Sequence, residues 1–261
     1  MQLTFLGTSA GWPLPRLGCT CEICSSRDPK DQRLRPALLV NESILLDAPV
    51  DIYHELQTTS HKPSAIRYIL LTHTHPDHII GLYDLSHIYG KDEKPTIIAT
   101  DGILKEVRRN FGVPLGGAFQ TKIVKPQEKI VLDGVQAWYI PVEHGAMEAY
   151  GIKLKDRPPT QAGKIIFYAP EFRKILPSLR RTIRGTDFII IDGSSLGKAG
   201  QTKGHENIEE GIRLAKDLRA KRVLFTNIGH KTLTHEKLEE FVETHGGSTF
   251  GIAYDGLQLE V

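Results

Sequence analysis

The sequence predicts an α/β protein of two stacked β-sheets covered by helices. Three observations lead there. Short apolar runs of strand length recur along the whole chain, amphipathic stretches of helical period separate them, and turn dipeptides such as Asn41-Glu42 and Asp133-Gly134 join neighbouring runs.

In chain order, residues 2–6, 37–40 and 43–46 read as strands, with Asn41-Glu42 as a hairpin turn. Residues 7–36, between the first two strands, are rich in Gly, Pro, Cys and charge and read as a long ordered loop. Loops of that length are usually functional or pinned by something. Residues 52–58 form a short helix, and 68–71 a buried strand running into a histidine cluster. A helix over 81–89 carries Leu82, Leu85 and Ile88 on one face. A strand at 96–99 and a helix at 103–111 follow. Strands come next at 123–124, 129–131 and 135–140, with Asp133-Gly134 as a turn, and then at 150–154, 164–168 and 188–192. The strongest helical pattern is 208–218, apolar at 208, 212, 215 and 218. A strand at 222–225, a helix at 235–243 and a final strand pair within 251–261 complete the reading. No linker, repeat or low-complexity segment divides the chain, so a single domain over 1–261 is expected, with a cysteine-rich zinc loop at about 7–36.

Thirty-three basic and 31 acidic residues give a net charge of +2. That balance argues against a nucleic-acid or membrane partner. A small-molecule substrate, including an anionic one, is compatible with it, because a metal site brings its own positive charge. No basic-then-apolar leader and no run near the roughly 18 apolar residues of a span are present, so a cytoplasmic location is expected. Three cysteines within six residues are a poor disulfide framework. A homodimer is the expected oligomer.

The segment Thr72-His73-Thr74-His75-Pro76-Asp77-His78 places four metal-ligand side chains within six residues, directly after an apolar strand. Imidazole and carboxylate suit zinc, iron and manganese. His73 and His75 point the same way in extended chain. Asp77 and His78 enter a tight turn, so the run offers ligands to two adjacent metals. Cys19-Thr20-Cys21-Glu22-Ile23-Cys24 is a second metal motif, whose spacing suits a closed zinc site. His230 is the candidate fourth ligand. Three reduced cysteines without metal are the alternative.

The Thr-His-x-His-x-Asp-His run resembles the signature of the metallo-β-lactamase superfamily. The resemblance runs from Leu3-Thr4-Phe5-Leu6-Gly7-Thr8 to Tyr254-Asp255-Gly256. It implies an αββα sandwich of two mixed β-sheets flanked by helices, with metals at one sheet edge. His73, His75 and His144 would hold the first metal, and Asp77 and His78 the second. The cysteine loop, closed by a distant histidine, resembles one branch of that superfamily. That branch contains the cyclic phosphodiesterase of the carbon–phosphorus lyase pathway and the pyrroloquinoline quinone biosynthesis protein B. The resemblance extends to ribonuclease Z, which lacks the cysteine loop.

Two ligands of that pattern are absent. Ala169 stands where the phosphodiesterases place a bridging aspartate, and Asn227 where they place a histidine. The Tyr168-Ala169-Pro170 run is similar to the quinone-biosynthesis protein instead. The expectation is therefore one active-site zinc, manganese or iron held tightly and a second held weakly or not at all. Glu171 and Asp192 are the remaining carboxylates that could serve it. His205, ahead of the helix at 208–218, resembles a general acid of the phosphodiesterase branch. An ordinary pKa near 6.5 suits that task. Asp77 and His205 are the candidate catalytic residues, and His54, His61, His87, His235 and His245 read as surface or helix residues. The leading expectation is hydrolysis of a small phosphodiester or related ester by a metal-bound hydroxide. A mononuclear iron oxygenase or redox enzyme is the alternative, and a non-catalytic binding protein on a decayed enzyme fold the third.

Overall fold

The β-branched and leucine-rich runs pair into two seven-stranded sheets of matching design. The computed structural model describes residues 1–89, 93–112, 117–156, 163–197 and 204–261. The first sheet contains β1 (Gln2–Gly7), β2 (Ala37–Val40), β3 (Ile44–Leu46), β4 (Tyr68–Leu70), β5 (Thr96–Ala99), β6 (Gln120–Ile123) and β14 (Gln258–Glu260). Its order is β14-β1-β2-β3-β4-β5-β6. The second contains β7 (Ile130–Leu132), β8 (Val135–His144), β9 (Met147–Lys155), β10 (Ile165–Ala169), β11 (Phe188–Asp192), β12 (Arg222–Thr226) and β13 (Phe250–Ile252), in the order β13-β12-β11-β10-β9-β8-β7. In each sheet one half pairs antiparallel and the other parallel. Parallel strands need crossovers, which bring helices onto the outer faces. Those helices are α2 (Ile52–Thr58), α3 (Pro76–Ile79), α4 (Leu82–Ile88), α5 (Asp101–Phe111), α6 (Pro177–Ile183), α7 (Ile208–Leu218) and α8 (His235–Gly246), while the short α1 (Glu22–Ser25) lies between β1 and β2. This is the αββα sandwich.

Strand periodicity divides the core in two. On β10, Ile166 and Tyr168 join the cluster between the sheets, with Leu38, Leu45 and Ile98. Phe167 and Ala169 point the other way, into a cluster with Ile208, Ile212, Leu238 and Val242 of α7 and α8. Burial on both faces explains why these strands are continuously apolar rather than alternating. Two turns match their dipeptides: Asn41 and Glu42 sit at φ 50° and 61°, and Asp133 and Gly134 at 46° and 84°.

Four details differ from the sequence expectation. The final strands are not a pair: β13 joins β12 in one sheet and β14 joins β1 in the other. Helix α6 was not expected, since its exposed Ser178 and Arg181 dilute the apolar period. The loop at 7–36 contains α1 and a 3-10 turn at Pro29–Asp31. His235 is buried, its Nδ1 accepting from Arg33 Nη2 at 3.0 Å. Among the described residues no helix is long and apolar enough to cross a membrane. Residues 113–116, between α5 and β6, lie outside the described residues.

Candidate metal centre

The carboxyl ends of strands from both sheets deliver the site. After β4 the chain passes through Leu71 and Thr72 to His73 and His75. Pro76 then opens α3, with Asp77 and His78 in its first turn. His144 is the last residue of β8, and Glu171 lies two residues beyond β10. One ligand atom from each of His73, His75, His144 and Glu171 falls within a single 4.8 Å group. Asp77, His78 and Glu171 form a second such group. Glu171 belongs to both. Its Oε2 lies 3.2 Å from His73 Nε2, 3.2 Å from His75 Nδ1 and 3.1 Å from His144 Nε2. Its Oε1 lies 3.4 Å from His78 Nε2. Asp77 Oδ2 is 3.6 Å from that same His78 nitrogen.

A further set of groups fixes which ring nitrogens face inward. Asp47, wholly buried after β3 and at φ 64°, takes His78 Nδ1 at 2.8 Å and the Thr72 amide and hydroxyl. His73 Nδ1 meets the Thr72 hydroxyl at 2.9 Å, and His144 Nδ1 donates to the Gly204 carbonyl at 2.7 Å. His73 and His144 have spent their outer N–H, so each turns a lone pair toward Glu171, itself an acceptor. Acceptors converging at hydrogen-bond range with no donor between them require a cation or a proton. His78 Nε2 is buried without a hydrogen-bond partner. Burial lowers His78's proton affinity, yet Asp47 and Glu171 outweigh it and raise its pKa well above the usual imidazole range. Burial and His78 push His73 down to about 4. Burial would raise Glu171, but His78 and the other histidines hold its carboxyl well below the usual range. A donor set of imidazoles and carboxylates arranged this way fits divalent metal ions.

Glu171 alters the reading of Ala169. Ala169 does not ligate, since its side chain lies in the apolar cluster under the helices. The carboxylate missing from that position is supplied two residues on. Asp192 is not in either group. Its Oδ2 accepts from His205 Nδ1 at 2.7 Å, and its Oδ1 takes the Ser194 amide at 2.8 Å. Asn227 is also outside both groups, its Nδ2 3.5 Å from Asp192 Oδ1. His205 sits beside the cluster, its ring 5.1 Å from that of His144. Burial works against its charge, but Asp192 prevails and raises its pKa to about 9. His205, His75, His144, Gly145, Ala146, Met147 and Gly204 line a cavity of about 430 Å³. Gly11 of the N-terminal loop abuts Asp77: a Cβ there would stand 3.0 Å from Asp77 Oδ2.

Sequence reasoning missed Asp47 and gave Glu171 a lesser part. The available signal for Asp47 was a carboxylate closing a fully apolar strand, in Ile44-Leu45-Leu46-Asp47.

The cysteine cluster gathers as a separate group. Cys19, Cys21, Cys24 and His230 place one ligand atom each within 4.8 Å of one another. Cys19 Sγ is 3.3 Å from Cys21 Sγ and 3.6 Å from His230 Nδ1. The Cys21 amide and side chain and His230 lower the Cys19 pKa to about 6, while burial raises Cys24 to about 11.

The family called Beta-lactamase superfamily domain matches residues 42–228 of this chain. The chain belongs to the metallo-β-lactamase superfamily. Among relatives in this superfamily, Coenzyme PQQ synthesis protein B of Methylorubrum extorquens is 27% identical, covering 100% of both chains. The octanoyltransferase of Porphyromonas gingivalis is 24% identical over 99% of this chain, which spans only 51% of that protein's length. Among solved structures, a diphosphatase of the PhnP family has a TM-score of 0.86 at 27% identity, covering 100% of this chain and 96% of that one. Zinc-bound PqqB from Methylobacterium extorquens, at 24% identity, shares the superfamily fold with a TM-score of 0.82 over 100% of both chains.

Proposed function

We propose that this superfamily member is a metal-dependent hydrolase of small phosphodiesters or related esters. The observation that carries this reading is the Glu171 carboxylate shared between two donor sets, with His205 beside them at the cavity wall. His73, His75, His144 and Glu171 would hold one divalent ion, and Asp77, His78 and Glu171 a second. Ions there would supply Lewis acidity and lower the pKa of a bound water toward neutral.

The chain's own groups do the rest. Asp47, Thr72 and the Gly204 carbonyl fix the ligand rings, so no reorganisation is needed at the moment of reaction. His205, held protonated by Asp192, is placed to give its proton to the departing oxygen. Ala146 and Met147 add an apolar side to the cavity. The likeness to a PhnP-family diphosphatase supports a phosphate ester as substrate.

A second reading, an iron-dependent oxygenase or redox enzyme, is favoured by the full-length likeness to Coenzyme PQQ synthesis protein B. One assay separates the two. The protein, loaded with zinc, manganese or ferrous iron under nitrogen, is given bis(p-nitrophenyl) phosphate. Metal-dependent release of nitrophenolate without oxygen supports hydrolysis. No release with any of the three ions overturns it.

A further inference from the structure

The two halves of the centre are not chemically alike. The first presents three imidazole nitrogens and one carboxylate, from His73, His75, His144 and Glu171. The second presents one imidazole and two carboxylates, from His78, Asp77 and Glu171. His78 is itself backed by a third carboxylate, Asp47, at 2.8 Å. Just after β12, Asn227 adds no ligand to either half. That residue is wholly buried, with its Nδ2 toward Asp192 and its Oδ1 without a partner.

We infer that the centre is built for two different ions, with a zinc-type ion on the histidine-rich side and a harder, manganese-type ion on the side of Asp77. Resting on the proposed two-ion reading, this names which ion each set of side chains selects. Imidazole suits zinc, whereas carboxylate oxygen suits manganese and magnesium. Zinc binds more tightly than manganese in most nitrogen and oxygen sites, so the selectivity lies in the ratio of affinities. That ratio is lower in the Asp77 half by about one to two orders of magnitude, the range over which ligand surroundings tune metal affinity.

The experiment is equilibrium dialysis of the intact protein against buffered zinc with manganese in large excess. Total metal is then counted by mass spectrometry, and bound manganese is read by its paramagnetic resonance. The expected wild-type content is one manganese per chain, with zinc retained. Asp77→Ala should lose the manganese and keep the zinc. His73→Ala should lose one zinc. Circular dichroism checks that each variant is folded. If the wild type takes two zinc ions at this centre and no manganese, or if Asp77→Ala keeps its manganese, the inference is overturned. If neither His73→Ala nor Asp77→Ala changes the metal content, the proposed two-ion centre itself fails.

Discussion

Glu171 Oε2 stands 3.1 Å from His144 Nε2, although one residue follows β10 and the other ends β8. Across two strands that are not neighbours, such an approach leaves a carboxylate facing imidazole lone pairs. Glu171→Gln keeps the shape and removes the charge, and should weaken both donor sets by about 10- to 100-fold in metal affinity. Isothermal titration with zinc and manganese measures it. Unchanged affinity for both ions would show that Glu171 is a bystander.

The position of Ala169 yields a second expectation. Its Cβ faces the cluster that contains Phe167 and Ile191, not the metal centre. Ala169→Asp would therefore bury a carboxylate without a partner and destabilise the fold by about 3 kcal/mol or more. Thermal unfolding tests this, and a variant that gains a metal ion without losing stability would contradict it.

The layers and most elements were legible because period-2 and period-3.6 patterns are local. Residues 52–58 and 208–218 could be bounded from their apolar spacing, and both bounds agree with α2 and α7. The strands within 251–261 were read as a pair, because two short runs joined by a tight turn look the same along the chain whether they pair or cross between two sheets. The histidine run was legible because its ligands are contiguous. Glu171 was not, since an offset of two residues is decided by how the chain leaves β10. Asp47 acts through His78, a contact made by neighbouring parallel strands and invisible along the chain.

The cysteine group fastens the N-terminal loop to the segment after β12. Arg16 Nη1 lies 2.9 Å from His230 Nε2, and the Arg16 amide donates to Cys24 Sγ at 3.3 Å. Zinc held there would contribute to folding outright. Cys21→Ser should release one zinc ion per chain and lower the melting temperature by several degrees. Zinc content measured beside the melting curve decides it. A variant with full zinc and unchanged melting would remove the structural role.

Glu206 makes stability depend on pH. Burial first, then Glu210 and Asp192, raise its carboxyl from 4.5 to about 8, and its Oε2 has no hydrogen-bond partner. The folded state thus binds this proton more tightly than the unfolded chain. Its contribution is complete below pH 4.5 and is lost as pH rises through about 8. Glu206→Gln should therefore flatten the decline over that window and be the more stable form above it. Urea midpoints across the window measure the difference, and parallel curves for the two proteins would count against it.

His205 is the last and sharpest case, because its two neighbours assign it opposite duties. Its Nδ1 is committed to Asp192 at 2.7 Å, while its ring lines the cavity beside His144. A residue that only steadied the start of α7 would not be needed there, since Asn207 and Glu210 already form the capping box. As a proton donor, His205 should matter in proportion to the basicity of the departing oxygen. His205→Ala should slow hydrolysis of alkyl esters by about 10²- to 10⁴-fold. The loss should be much smaller for nitrophenyl esters, whose leaving group departs without a proton. Metal content should stay the same in both cases. Asp192→Asn should reproduce part of this defect, because it removes the charge that keeps the imidazole protonated. Equal losses on alkyl and nitrophenyl substrates would show that His205 positions the substrate and does not transfer a proton.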